Sequence, residues 1–152
     1  MISSDQAVPR IVLDTNVCLD LFLFHDPACA TLLAALQAGQ VRAVTRADCR
    51  EEWLRVLHYP QLPIDADLRP GLVGAFDALI ELLPCAQPPP DDVTVLPRCG
   101  DPDDQKFLEL ALLAGARWLL SKDKELLKLD RRTDQTGLFR ILLPLAWSAV
   151  AI

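Results

Sequence analysis

The sequence contains no long uninterrupted hydrophobic run, and none approaches the 18 uncharged apolar residues that a membrane-spanning helix requires. Its first six residues also lack the basic and apolar regions of a secretory signal peptide. We therefore expect a cytoplasmic protein with no membrane partner. The 152 residues, 51% of them apolar and 24% charged, suit a single globular domain that spans residues 1–152.

The sequence also lacks any Cys-x-x-Cys pair. Its five cysteines are odd in number and widely scattered, at Cys18, Cys29, Cys49, Cys85 and Cys99. A zinc site or a disulfide framework would require paired or regularly spaced cysteines. We therefore expect reduced thiols with structural roles.

A surplus of positive charge is missing as well, since the formal net charge is −6. Proteins that bind nucleic acid by bulk attraction to its phosphates are usually basic. A site that binds phosphates through metal ions can be acidic, because the cations reverse the local charge. The net charge therefore excludes only the first of these two modes of binding.

Apolar segments alternate with amphipathic segments, which predicts a three-layer α/β/α domain with a mainly parallel central sheet. Strands are predicted at 11–13, 41–44, 118–121 and 139–143. Helices are predicted at 16–24, 27–39, 45–59, 72–83 and 102–114, with a short one at the C-terminus. Residues 84–98, with five of the twelve prolines, are expected to form an extended connection, and residues 130–137 a polar turn.

Two predicted helix starts carry polar residues suited to N-capping. The first helix follows Asp14-Thr15-Asn16, where Thr15 or Asn16 would serve as the N-cap. The helix over 45–59 would begin with Thr45, and Asp48 would complete its capping box.

Acidic residues occur where the predicted strands end and where the predicted helices begin. Asp14 and Asp123 follow apolar strands, whereas Glu52 and Asp104 lie early in amphipathic helices. In a parallel sheet these positions share one edge, so the four carboxylates can converge. Oxygen ligands of this kind select Mg²⁺ or Mn²⁺, which can align water and polarise a phosphodiester for in-line displacement.

Each acid taken alone also has a simpler explanation. Asp101, Asp103 and Asp104 would complement the dipole of the helix that follows them. Asp14 and Asp123 could merely end a strand or cap a helix. Their joint placement at one predicted edge favours a functional site over these separate structural roles.

Four blocks of the sequence resemble the PIN-domain family, in its branch of VapC-like toxins of toxin–antitoxin systems. The blocks are Val-Leu-Asp-Thr-Asn at 12–16, Glu-Trp-Leu-Arg-Val-Leu at 52–57, Asp-Pro-Asp-Asp-Gln-Lys-Phe-Leu at 101–108 and Leu-Leu-Ser-Lys-Asp-Lys-Glu-Leu-Leu at 119–127. They occur in the family's order, and the resemblance covers nearly the whole chain.

The resemblance implies a Mg²⁺- or Mn²⁺-dependent ribonuclease whose products carry 5′-phosphate and 3′-hydroxyl ends. The family's four catalytic, metal-binding acids would correspond to Asp14, Glu52, Asp104 and Asp123. Asp101 would be an auxiliary metal ligand, and Asn16 and Ser121 would position Asp14 and the substrate. The implied partners are an RNA substrate, a cognate antitoxin protein and a second copy of the chain. An apolar surface near residues 145–152 would serve self-association, unless those residues simply pack into the core.

Four basic residues near these blocks could contact the RNA backbone: Arg46, Arg50, Lys122 and Lys124. For each of them alone, a solvated surface charge is the simpler interpretation. The histidines, His25 and His58, lie outside the acidic blocks and are not expected to act as general bases.

Two other functions fit parts of the sequence. A phosphatase could use Asp14 as its nucleophile, but such enzymes resemble the pattern Asp-x-Asp, and this chain has Asn16 in place of the second acid. A catalytically silent PIN-like module could bind a partner protein instead, but the complete set of four acids counts against it.

Overall fold

The computed structural model describes residues 8–84 and 96–151, which fold around a five-stranded parallel sheet. The strands are β1 (Arg10–Leu13), β2 (Arg42–Thr45), β3 (Ile80–Leu82), β4 (Trp118–Leu120) and β5 (Arg140–Leu142). They lie in the order β3-β2-β1-β4-β5, and every neighbouring pair is parallel. All the carboxyl ends of the strands therefore meet at one edge of the sheet.

Helices cover both faces of this sheet. They are α1 (Thr15–Phe22), α2 (Ala30–Gln37), α3 (Ala47–Val56), α4 (Arg69–Leu79), α5 (Gln105–Ala114), α6 (Lys124–Leu127), α7 (Asp130–Gln135) and α8 (Pro144–Ala151). Short 3₁₀ turns, Pro27–Cys29 and Pro102–Asp104, precede α2 and α5. Within the described ranges no single helix is long and apolar enough to cross a membrane; only the pair Thr15–Phe22 and Pro27–Gln37, bent by 103°, reaches that length jointly.

The alternation of side chains along β1 divides the hydrophobic core into two layers. Ile11 and Leu13 face one side, where α1, α2, α3, α4 and α8 contribute buried residues. Trp53 of α3 and Phe76 of α4 stack there, with their ring centroids 5.4 Å apart. Val12 faces the other side, which α5 covers. The predicted α/β/α architecture with a parallel sheet is confirmed.

One strand is missing from the sequence prediction. Residues 80–82 were predicted as the end of a helix, but they form β3, in which Ile80 and Leu82 pair with Ala43 and Thr45 of β2. Three residues of the pattern apolar-charged-apolar fit the period of either structure. The edge of β2 that faces away from β1 offers backbone hydrogen bonds, so these residues form a strand and not the end of a helix.

Two helices are missing as well, α6 (Lys124–Leu127) and α7 (Asp130–Gln135). Residues 130–137 were predicted as a polar turn, but their first six form α7. Asp130 at its start accepts hydrogen bonds from the Arg140 guanidinium (2.9 and 3.0 Å) and from the Ile141 backbone N–H (2.7 Å). No local sequence pattern indicates these hydrogen bonds between the start of α7 and β5.

The predicted start of α3 is wrong by two residues. Thr45 ends β2 and the helix begins at Ala47, so no capping box forms. Asp48 instead accepts two hydrogen bonds from the Arg46 guanidinium, at 2.9 and 2.8 Å. Most of the predicted connection at 84–98 lies outside the described residues.

Candidate active site

The four predicted acids line one cleft of about 430 Å³ at the carboxyl edge of the sheet. Asp14 directly follows β1, and Asp123 stands three residues beyond the end of β4. Asp104 ends the 3₁₀ turn before α5, and Glu52 lies in the middle of α3. The structure therefore brings these carboxylates together from four separate segments, while their catalytic roles remain a prediction.

Asp14 lies deepest in this cleft and is only 3% exposed. Its Oδ1 accepts a hydrogen bond from the Thr15 N–H (2.6 Å), so Asp14 itself caps α1 and the predicted cap at Thr15 or Asn16 is wrong. Its Oδ2 accepts bonds from the Ser121 hydroxyl (2.7 Å) and the Asn16 amide (3.4 Å). Burial raises the pKa of Asp14 to about 6, although these donors oppose the rise.

Asn16 and Ser121 connect the ends of β1 and β4 behind Asp14. The Lys122 N–H donates to Asn16 Oδ1 (3.2 Å), and the Asp123 N–H donates to Ser121 Oγ (2.9 Å). Ser121 is fully buried, so any effect it has on a substrate passes through Asp14. Asn16 lines the cleft itself.

Three carboxylates form a compact group: Asp101, Asp104 and Asp123 each place one oxygen within 4.8 Å of the other two. Burial, the hydrogen bond to Asp123 and the charge on Asp14, in that order, together raise the pKa of Asp104 to about 8. Asp101 and Asp123 also cap the turns that follow them, because each accepts a backbone N–H at Oδ1. We call Asp101, Asp104 and Asp123 the aspartate triad.

Glu52 is held by two residues that sequence reasoning missed. The Lys106 ammonium donates to its Oε1 at 2.6 Å, and the Thr15 hydroxyl donates to its Oε2. Lys106 also donates to the carbonyl oxygen of Asp103. Burial alone would lower the pKa of Lys106, but the bond to Glu52 raises it above its ordinary value. A lone lysine inside the acidic block at 101–108 was the signal available in the sequence.

Three of the four basic residues considered for RNA contacts are engaged elsewhere. Salt bridges join Arg46 to Asp48 (2.8 Å), Arg50 to Asp77 (2.7 Å) and Lys122 to Asp20 (2.7 Å). A different arginine lines the cleft, together with an aromatic, an amide and an aliphatic side chain that sequence reasoning also missed: Arg55, Tyr59, Gln61 and Leu62.

The chemistry of the cleft suits a hard divalent cation. Its ionisable ligands are carboxylates, and no histidine or cysteine lines it among the described residues. The pKa of Asp104 is raised first by burial and then by the neighbouring carboxylates, and a cation among them would offset both effects by stabilising the ionised form. Oxygen-only coordination favours Mg²⁺ or Mn²⁺ over zinc or copper.

Comparisons with known proteins agree with the resemblance seen in the sequence. Residues 10–125 match the PIN domain family, a range that includes all four acids. No curated protein matches the chain significantly. The fold is similar to one in the crystal structure of VapBC2 from Rickettsia felis bound to a DNA fragment from their promoter, with a TM-score of 0.56 and 12% identity over 87% of this chain and 96% of that one. Since the family match spans most of the sequence, this protein belongs to the PIN-domain family.

Proposed function

We propose that this protein is a Mg²⁺- or Mn²⁺-dependent endoribonuclease of the cytoplasm, and the toxin component of a toxin–antitoxin pair. The observation that carries the proposal is the convergence of Asp14, Glu52 and the aspartate triad in one cleft. Membership of the PIN-domain family supports a nuclease. The similarity of the fold to VapBC2 from Rickettsia felis supports the toxin assignment.

Within this proposal the aspartate triad would hold the metal, which when bound would polarise the phosphodiester and acidify a water molecule. Asp14 has its orientation fixed by Ser121 and the start of α1, so its carboxylate presents a fixed charge to the cleft. Glu52 is fixed by Thr15 and Lys106 in the same way. Preorganised charges of this kind need no rearrangement during the reaction.

The structure disfavours the phosphatase alternative. A nucleophilic carboxylate must expose one oxygen to the phosphate, but Asp14 is only 3% exposed and hydrogen bonds to both of its oxygens hold it in one orientation. Asn16, at the place of the second acid of that pattern, donates to Asp14 and accepts from the Lys122 backbone. Its contacts suit an orienting residue and not a general acid.

A nuclease assay on purified protein tests the proposed activity. Asp14→Asn and Asp104→Asn keep the shape of each side chain and remove its charge, so each should lower cleavage of RNA by about a hundredfold or more. Asp67→Asn, an exposed aspartate outside the cleft, is the matched control and should cleave at the wild-type rate. Activity must require Mg²⁺ or Mn²⁺ and disappear with a chelator. Cleavage at the wild-type rate in both cleft variants would contradict the proposal. A wild type that cleaves no RNA, with or without metal, would favour the catalytically silent module.

The proposal includes two protein partners. An antitoxin could lay a peptide arm across the acidic cleft and present a basic residue to it. Self-association would use the end of the chain, where Leu145 and Val150 of α8 are 65% and 59% exposed, while Trp147 is buried in the core as the alternative interpretation expected.

Light scattering tests the dimer directly. The wild type should show twice the mass of one chain, and Leu145→Glu should shift it towards the monomer because a charge is costly in an apolar interface. Leu82→Glu changes another exposed leucine, on β3 and 52% exposed, and should leave the mass unchanged. A wild type that stays monomeric at high concentration would remove the dimer.

A further inference from the structure

The cleft has a second wall that the carboxylates do not form. Arg55 and Val56 end α3 one turn beyond Glu52, and Tyr59, Gln61 and Leu62 follow in the adjoining turn. This wall combines one cation, one aromatic ring, one amide and two aliphatic side chains. We call Arg55, Tyr59 and Leu62 the aromatic wall.

Tyr59 is presented to the cleft on an ordered backbone. Its N–H donates to the Val56 carbonyl (3.0 Å), and its own carbonyl accepts from the Leu62 N–H (3.1 Å). The side chain is nevertheless 40% exposed, although Val56 beside it is buried. An aromatic ring on a fixed backbone and open to solvent can stack against a planar ligand at a low cost in conformational entropy, because only two side-chain torsions need to be ordered.

Arg55 differs from Arg46 and Arg50, the other two arginines at the start and in the body of α3. Arg46 and Arg50 are each paired with an aspartate, whereas Arg55 makes no salt bridge to any residue in the part of the chain that the structure describes. Its position in the last turn of α3 complements the helix dipole, which accounts for a positive charge there but not for its place in the cleft. A solvent-facing guanidinium beside a metal-binding site is suited to a phosphate.

We propose that the aromatic wall is a nucleotide subsite in which Tyr59 stacks on an unpaired base and Arg55 binds the phosphate next to that base. This inference rests on the proposed nuclease function and names its substrate class as single-stranded RNA. In a duplex every base is already stacked between its neighbours and cannot reach an aromatic side chain. An unpaired base can, and its stacking tolerates any base because each has a π face.

Binding of short oligonucleotides isolates the stacking contact. We would use the Asp104→Asn variant with Mg²⁺ present, so that binding is measured without cleavage, and a fluorescent 12-nucleotide RNA by anisotropy. Adding Tyr59→Ala should weaken its binding about tenfold, while Tyr59→Phe should keep it within about twofold, because the ring is retained. Phe24→Ala removes a similarly exposed aromatic residue outside the cleft and should change nothing.

An oligonucleotide of the same length without bases makes the test specific. The protein with an intact aromatic wall should bind the oligonucleotide without bases about tenfold more weakly than the normal RNA. Tyr59→Ala should not lower its affinity for the oligonucleotide without bases any further. Equal losses on both oligonucleotides would overturn the stacking proposal, as would unchanged binding in Tyr59→Ala. A duplex RNA should be insensitive to Tyr59→Ala, and a tenfold loss on the duplex would overturn the preference for single strands.

Salt dependence tests the phosphate contact separately. Arg55→Gln should reduce the slope of log K against log salt by about one contact on both the normal and the baseless oligonucleotide. Arg131→Gln, an exposed arginine on α7, should leave the slope unchanged. An unchanged slope in Arg55→Gln would overturn the phosphate contact, and the proposal would fail. If a basic peptide then competed with the RNA for this Arg55-independent binding, the wall would serve a protein partner instead.

Cleavage by the wild type is measured in parallel, so that the two proposals can fail independently. Binding that depends on Tyr59 in an inert protein would contradict the proposed catalysis and leave the subsite standing. Active cleavage with no dependence on Tyr59 would overturn the subsite alone.

Discussion

Glu52 and Asp104 line the same cleft but have opposite neighbours. Glu52 accepts from an ammonium and a hydroxyl, both of which favour a charged carboxylate. Asp104 touches another carboxylate, and its pKa rises to about 8. Among the described residues, the cleft therefore contains one acid paired with Lys106 and a triad that accepts no hydrogen bond from a lysine or arginine side chain. A cation is most strongly favoured at this triad.

The ion pair between Lys106 and Glu52 should stabilise the fold. Lys106→Met should lower the free energy of unfolding by about 1–3 kcal/mol, because Glu52 then stays in an acidic cleft without its cation. Both side chains are largely shielded, at 16% and 15% exposed. Urea denaturation measures the change, and adding Glu52→Gln to Lys106→Met should recover most of the loss.

Lys128 supplies the matched control, since its ion pair with Glu125 is 2.7 Å long but solvent-exposed. Lys128→Met should leave the denaturation midpoint unchanged, because water screens the pair. An equal loss in the two lysine variants would show that Lys106 is only another surface charge.

The sequence identifies the acids of the cleft but not the residues that hold them. Asp14 and Asp123 stand out because each follows an apolar strand, and topology alone then places them at one edge. Lys106 and Glu52 are 54 residues apart, so their contact depends on how α5 sits against α3. Arg55 and Tyr59 carry no local pattern that separates them from ordinary surface residues.

At the scale of elements, strand ends and helix ends determine where the site lies. Asp14 directly follows β1, and its carboxylate caps α1. At the other end of a helix, Gly115 closes α5 with a left-handed conformation, φ 63°, and the chain then enters β4. This turn orients the segment that carries Ser121 and Asp123.

Two glycine substitutions should have effects of opposite sign. Gly115→Ala should destabilise the fold by about 1 kcal/mol, because a Cβ is disfavoured at positive φ. Gly74→Ala lies inside α4, where an added Cβ meets no atom within 4 Å, and should stabilise by about 0.5–1 kcal/mol. Thermal melts of the two variants compare them directly, and changes of the same sign would contradict these backbone assignments.

Two of the elements that the sequence did not predict depend on partners distant along the chain. Residues 80–82 become a strand because β2 offers a free edge, and residues 130–135 become a helix because Asp130 binds Arg140 and the backbone of β5. The longer helices carry their own periodicity and were predicted to within a few residues of their observed ends. Short segments lack enough residues for a period to be distinguished.

At the scale of the whole molecule, folding concentrates negative charge that the unfolded chain keeps apart. The sheet places one acidic residue after β1 and one after β4, and the helices add the others, so the cleft carries much of the protein's net charge of −6. The pKa values of Asp14 and Asp104 rise from 3.8 to about 6 and about 8. Both shifts show that the folded state disfavours these charges.

The sign of the pH dependence follows from these two shifts. Between about pH 4 and pH 8 the folded protein binds more protons than the unfolded chain, so without metal its stability falls as the pH rises through this window. The loss is complete above about pH 8, where Asp104 is ionised in both states. A divalent cation binds the ionised cleft, so its effect should be largest at neutral to mildly alkaline pH and shrink on acidification.

Thermal melts with and without Mn²⁺ test this balance. At a hundredfold excess over its dissociation constant, Mn²⁺ should stabilise the fold by about 2.7 kcal/mol. For a domain of this size the melting temperature should then rise by roughly 5–10 °C. Asp14→Asn with Asp104→Asn should raise stability without metal at pH 8, since the repulsion is relieved, and should abolish the response to Mn²⁺. Asp67→Asn with Asp134→Asn removes the same number of charges from exposed positions outside the cleft and should retain the response. Equal Mn²⁺ shifts in the wild type and the cleft variant would show that the metal stabilises the protein elsewhere.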